Sequence, residues 1–202
     1  MTTNLTRLAM AVAALAGVVL SGGVAAAGPL DHPGYTKSAT CSACHGFAGA
    51  SRSDTMPILA GMDAAYLKKA LQDYAAGKRV SSEMEPFAKQ AIQLGVDDVA
   101  GYFASQKKAP TPVTVDPAAA ARGRTAAASC AGCHGADGRG DPGKQIPDLR
   151  GQPPGYLLNQ MMLFKADRRS PGDANLKAIK ILMKTVSDST FADLAAYFSS
   201  QR

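Results

Sequence analysis

Apolar residues recur at helical spacing through much of the chain. Ala64, Leu67, Ala70, Leu71 and Tyr74 keep a three-and-four step, which predicts a helix over about 63–76. A matching run predicts a second over about 154–166, and apolar stretches near the end of each half predict helices over 96–106 and 188–201. An Ala-rich segment, 118–128, reads as a helical lead-in. The stretches 46–57 and 135–154 are rich in Gly and Pro and read as loops. Nowhere does a strict apolar–polar alternation stand out, so the chain is expected to be all-α.

The pattern repeats itself. Residues 59–61 match 149–151, and Tyr66-Leu67 matches Tyr156-Leu157, each 90 positions apart. Tyr74 matches Phe164, and Lys78-Arg79 matches Arg168-Arg169. Tyr102-Phe103 matches Tyr197-Phe198 at a spacing of 95, so the second copy carries about five more residues between Arg169 and Tyr197. Pro110 and Pro112 mark an extended segment between the copies. The expected division is a leader over 1–27, domains over 28–107 and 117–202, and a linker over 108–116. The leader reading rests on Arg7, the apolar run 8–20 and the small residues Ala25, Ala26 and Ala27, which together resemble a cleaved secretory signal peptide. The run is short for a membrane span, so membrane association is expected to be peripheral at most.

Composition changes the picture in two ways. There is no Trp and only 6% aromatic residues, so a domain of under 100 residues has few large side chains for its core. A large buried cofactor would help fill it. The formal charge is +6, one unit of which sits in the leader. Lys68, Lys69, Lys78, Arg79, Lys107, Lys108, Arg168 and Arg169 are scattered, with no aromatic interleaving, and read as a solvated surface. Nucleic-acid binding is therefore not expected.

The candidate chemistry lies in the cysteines. The chain has four, Cys41, Cys44, Cys130 and Cys133, and each pair is followed at once by a histidine, His45 or His134. This is the c-type haem attachment signature, twice. Thiols three residues apart on a helical turn share a face and can form thioethers to the two vinyl groups of one haem, and the adjacent imidazole can ligate the iron. Disulfides would not explain a His after each pair, and a zinc site would want four ligands from separated pairs. Two covalent haem c groups are the expected cofactors. The carbonyls of Pro57 and Pro147 are candidates to orient the two imidazoles.

A sixth ligand from Met would close each iron for electron transfer and raise its potential. Met84 is the first candidate, in the loop-like stretch 81–86, with Met56 and Met62 as competitors. In the second copy position 84 maps to Ala174 or Ile179, depending on the offset. Met183 is the candidate there, a lysine of the same segment or an open position being the alternatives. Met161 and Met162 read as core, and His32 as a surface residue.

Residues 59–67, 77–79, 130–140 and 193–198 resemble dihaem cytochromes of the c4 type, over nearly the whole mature chain. Residues 82–89, 100–106 and 164–169 are also similar to the haem subunit of flavocytochrome c sulfide dehydrogenase. The resemblance implies two tandem class I cytochrome c domains about a pseudo-twofold axis, His/Met ligation of both irons and electron transfer in the periplasm. In the second half the usual Met pair followed by Pro is missing. The chain is expected to be an electron carrier rather than an enzyme, working with redox proteins such as a terminal oxidase or another cytochrome. The alternative is the haem subunit of a complex in which a flavoprotein oxidises sulfide or another reduced sulfur compound. A haem sensor or peroxidase would need an open iron.

Overall fold

The computed structural model describes residues 28–202, so the leader reading of 1–27 lies outside the described residues. The first copy holds α1 (Tyr35–Ser38), α2 (Ser42–His45), α3 (Ala64–Ala75) and α4 (Met84–Ser105). The second holds α5 (Pro117–Ala126), α6 (Ala131–His134), α7 (Pro154–Lys165), α8 (Lys177–Thr185) and α9 (Asp188–Ser200). Among the described residues there is no β-strand, only two isolated bridges. The all-α expectation therefore holds.

Each long helix starts where a side chain can take an orphan N–H. Asp63 accepts from the Tyr66 N–H at 2.8 Å to open α3. Asp116 accepts from Ala118 and Ala119 to open α5, with Pro117 fixing the first helical φ. Ser187 accepts from Thr190 to open α9. One start corrects the sequence reading. The stretch 81–86, expected to be a loop, contains the first turn of α4. Ser81 Oγ accepts from the Met84 N–H at 3.2 Å, and Pro86 sits in the first turn, where its missing N–H costs nothing. The helix then breaks at Gly95, whose φ of 108° is open to glycine and strained for other residues. Either side of that break, α4 answers to α8 and α9 of the second copy.

In each copy the N-terminal helix crosses the C-terminal one at a glycine. A Cβ on Gly34 would lie 2.2 Å from the Asp98 carbonyl oxygen, and one on Gly123 would lie 2.0 Å from that of Asp193. No larger residue fits either crossing. Beside each lies an aromatic pair, Tyr102–Phe103 and Tyr197–Phe198, with centroids 5.0 and 5.1 Å apart. These rings are almost fully buried, each worth about 2 kcal/mol of transfer free energy.

Segment 108–116 runs against both copies, with Lys108 passing close beside Gly61 of the first. The Thr111 N–H donates to the Gly151 carbonyl at 2.7 Å, and Lys108 pairs with Asp148 at 2.7 Å. Where the copies meet, Arg79 and Arg169 form an antiparallel bridge. Arg79 donates to the Tyr156 hydroxyl at 2.8 Å, and Arg169 to that of Tyr66 at 3.2 Å. These two bonds exchange under the 90-residue repeat, as a pseudo-twofold axis requires. Other contacts do not exchange. Gln152, which stands where the first copy has Met62, bonds both the N–H and the carbonyl of Ile58, and Asp54 takes the Gly155 N–H at the start of α7.

Candidate redox centres

A short 3-10 turn, Ala39–Cys41, leads into α2 and puts Cys41 and Cys44 on one face three residues apart. Gly46, at φ 76°, ends that helix and turns the chain into the loop that returns at Pro57. The second copy repeats the arrangement with the turn Ala127–Cys130, α6 and Gly135 at φ 76°. All four thiols are free of disulfides, Cys41 and Cys130 half-buried, Cys44 and Cys133 exposed.

Both prolines stand where the sequence placed them. His45 Nδ1 lies 2.9 Å from the Pro57 carbonyl, and His134 Nδ1 lies 3.1 Å from that of Pro147. A carbonyl only accepts, so Nδ1 carries the proton and the Nε2 lone pair stays available for a metal. Burial lowers both imidazole pKa values, which keeps the rings neutral. His45 is 4% exposed, and its Nε2 is buried with no hydrogen-bond partner.

That nitrogen belongs to a cavity of 610 Å³ lined by Cys41, Cys44, Met84, Leu67, Phe103 and other largely apolar groups. Met62 and Met56 also line it. Met62 Sδ already accepts from Gln152 at 3.3 Å, and Met56 adjoins Pro57 on the proximal loop. Met84 has no such engagement among the described residues. Two thiols, an unpartnered buried imidazole nitrogen and a large apolar cavity fit a covalently held haem.

The far wall of the cavity was not anticipated from sequence. Arg79, expected on a solvated surface, is 3% exposed. It bonds Tyr156 and Gln160 Oε1, the latter at 2.6 Å, and lies 4.5 Å over the Tyr74 ring. Arg169 shares Gln160 Oε1 at 2.9 Å and stacks 4.4 Å over Phe164. Two cations thus meet with no carboxylate bonded to either among the described residues. Burial pushes the Tyr66 phenol up, but Arg169 and Arg79 outweigh it and bring its pKa down to about 8. At Tyr74 burial outweighs the opposing pull of Arg79 and carries the pKa up to about 12. A buried uncompensated cation is costly, and the carboxylates of a haem are anions that fit beside this pair. The recurrence of Lys78-Arg79 as Arg168-Arg169, in register with Tyr66 and Tyr156, was the signal in the sequence.

In the second copy Met183 is 9% exposed and lies in a cluster with Leu157, Phe191 and Leu194, against which Cys130 packs. It is not the counterpart of Met84. The inward face of α4 buries Ala88 and Ala91, and that of α8 buries Lys180 and Met183 at the same spacing. Met183 therefore answers to Ala91, and the start of α8 offers no thioether. Of the segment's lysines, Lys180 is taken up by the Ser170 carbonyl and Asp167, while Lys177 and Lys184 are exposed. Met161 and Met162 pack on the same cluster. His32 is half-buried rather than superficial, its Nδ1 accepting from the Gly34 N–H at 3.0 Å.

Paired helical domains, each presenting two thiols and a carbonyl-oriented imidazole, define a c-type cytochrome. Residues 120–202 match the cytochrome c family. Cytochrome c4 of Pseudomonas aeruginosa is 32% identical over 190 residues, 91% of either chain. The structure of reduced cytochrome c4 from Pseudomonas stutzeri superposes with a TM-score of 0.76 at 29% identity, covering 84% of this chain and 97% of that one. A thiosulfate dehydrogenase electron acceptor of Stutzerimonas stutzeri is 29% identical over 172 residues, 79% of this chain and 78% of its own. The chain belongs to the cytochrome c4 family of electron-transfer haem proteins.

Proposed function

We propose that the protein is a periplasmic two-haem electron carrier, its haems attached through Cys41 and Cys44 and through Cys130 and Cys133. The observation that carries this reading is the duplicated imidazole geometry, in which each Nδ1 is held by a proline carbonyl so that Nε2 faces away from it. Bound haem supplies a one-electron Fe(III)/Fe(II) couple at each site. With haem bound, His45 and Met84 would hold the first iron and His134 and Met183 the second, the two methionines coming from inequivalent positions of the repeat. The apolar lining keeps water away from the first site, and Arg79 and Arg169 neutralise negative charge between the copies. Among the described residues no helix is long and apolar enough to cross a membrane. Intact-protein mass spectrometry tests the attachment. The native chain should carry two haems and begin at Gly28, and a Cys130→Ala/Cys133→Ala variant should carry one. An unchanged haem count in that variant would contradict the assignment.

A second reading makes the chain the haem subunit that accepts electrons from a dehydrogenase acting on sulfide or another reduced sulfur compound. The similarity to a thiosulfate dehydrogenase electron acceptor favours it. Purification of the native protein decides: a flavin-bearing chain in stoichiometric amount supports this reading, and a chain that purifies alone at physiological salt rejects it.

A further inference from the structure

The two copies share an attachment geometry but differ in the charge they carry. Residues 28–107 hold eight Lys and Arg against eight Asp and Glu. Residues 117–202 hold twelve Lys and Arg against seven Asp and no Glu. The excess positive charge of the described chain therefore belongs to the second copy.

Part of that excess is concentrated on α8. Its inward face carries Lys180 and Met183, both under 10% exposed, and Lys180 is paired with Asp167 at 2.6 Å. Its outward face presents Lys177, Ala178, Ile181, Lys184 and Thr185, all exposed. Ile181 is 57% exposed, with Lys177 four residues before it and Lys184 three after, so the three share one stripe. Among the described residues Lys177 and Lys184 enter no ion pair, whereas Lys165 and Lys180 pair with Asp188 and Asp167. The corresponding part of the first copy is the opposite in sign. There Glu83 and Glu85 flank Met84, and the one nearby lysine, Lys89, is paired with Glu85 at 2.7 Å.

We propose that the outward face of α8 docks an acidic redox protein and passes electrons between it and the second centre. This rests on the reading of the second copy as a haem site. Two unpaired lysines around one exposed apolar side chain suit a short-lived complex, in which charge steers the encounter and a small dry contact fixes the orientation. The position suits the purpose too. A single helix, about 10 Å across, separates this face from the cluster that holds Met183 and Cys130. The acidic start of α4, at Glu83 and Glu85, would repel the same partner at the corresponding place on the first copy, which favours docking on the second.

Stopped-flow electron exchange between the holoprotein and plastocyanin, a small copper protein with an acidic patch, tests this. Lys184→Glu should lower the second-order rate at low salt by roughly tenfold and flatten its salt dependence. Lys107→Glu makes the same change in net charge on an exposed residue outside α8, and should change the rate by less than about twofold. Ile181→Ser should lower the rate at high salt, where steering is screened. Each variant is also titrated with dithionite. Uptake of two electrons shows that both centres work and that any rate loss belongs to docking. Uptake of one electron by the unaltered protein would refute the two-haem reading instead, and the proposal with it. Equal losses in Lys184→Glu and Lys107→Glu would overturn the proposal, since net charge alone would then explain them. Salt-sensitive dimers abolished by Lys184→Glu would assign the face to a second copy and overturn it as well.

Discussion

Replacing Arg79 with Leu removes a guanidinium that is 3% exposed and bonded to two neutral acceptors. Each such bond from a charged donor is worth about 1.5 kcal/mol, and the contact over Tyr74 adds about 1 kcal/mol. If a haem carboxylate balances the charge, the loss in the holoprotein is therefore about 4 kcal/mol. For a chain of this length that lowers Tm by roughly 10 °C. Arg79→Lys keeps the charge but not the planar fork, and should lose about half as much. The assay is thermal unfolding of the purified holoproteins followed by Soret circular dichroism, which reports haem packing. The variant's reduction potential should also fall, because removing a nearby cation favours the ferric state. The opposite outcome is physically reasonable. A buried cation with no anion beside it is a liability, and an apolar replacement is then neutral or stabilising. An Arg79→Leu holoprotein with a Tm within about 2 °C of the native value, or above it, would refute the claim that the cavity brings an anion to this site.

Three further outcomes follow from the same geometry. Gly34→Ala places a methyl carbon 2.2 Å from the Asp98 carbonyl oxygen. Forcing the helices apart should cost about 2–3 kcal/mol, measured by denaturant unfolding, and Gly123→Ala should do the same in the second copy. Met84→Ala should abolish the sulfur-to-iron charge-transfer band of the first haem and lower its potential while leaving haem attachment intact; an unchanged band would show that Met84 is not the ligand. Burial tends to raise the Asp148 pKa, but hydrogen bonds from Arg150 and Lys108 outweigh it and hold the carboxyl below its ordinary range. A carboxylate with a depressed folded pKa contributes stability that is complete above about pH 4, its unfolded value, and is lost as pH falls through the folded one. Asp148→Asn should therefore lose about 1 kcal/mol at pH 7 and nothing at the acid end, as read from urea midpoints across pH.

Periodicity and the repeat made the helices legible, and the two attachment motifs made the chemistry legible. Those signals are local, a helical turn or a fixed offset. What escaped detection depends on the other copy or on the backbone. Arg79 has the composition of a surface residue and becomes a buried one only because Tyr156 and Gln160, some eighty residues away, close over it. The first turn of α4 resembles a loop because its serines, acidic residues and proline suit turns and helix starts alike. The close crossings at Gly34 and Gly123 left no pattern except the glycines themselves. The distal candidate of the second copy was hard to place because the extra residues fall within that segment, partly ahead of α8 and partly at the break between α8 and α9 that answers to Gly95.

The central claim is that one chain carries two one-electron centres whose distal sides differ. Spectroelectrochemical titration of the purified holoprotein, with the charge passed counted, tests it most directly. The expected result is two electrons per chain, taken up in two resolved one-electron steps. Uptake of a single electron per chain, or of two electrons in one step with indistinguishable potentials, would contradict it.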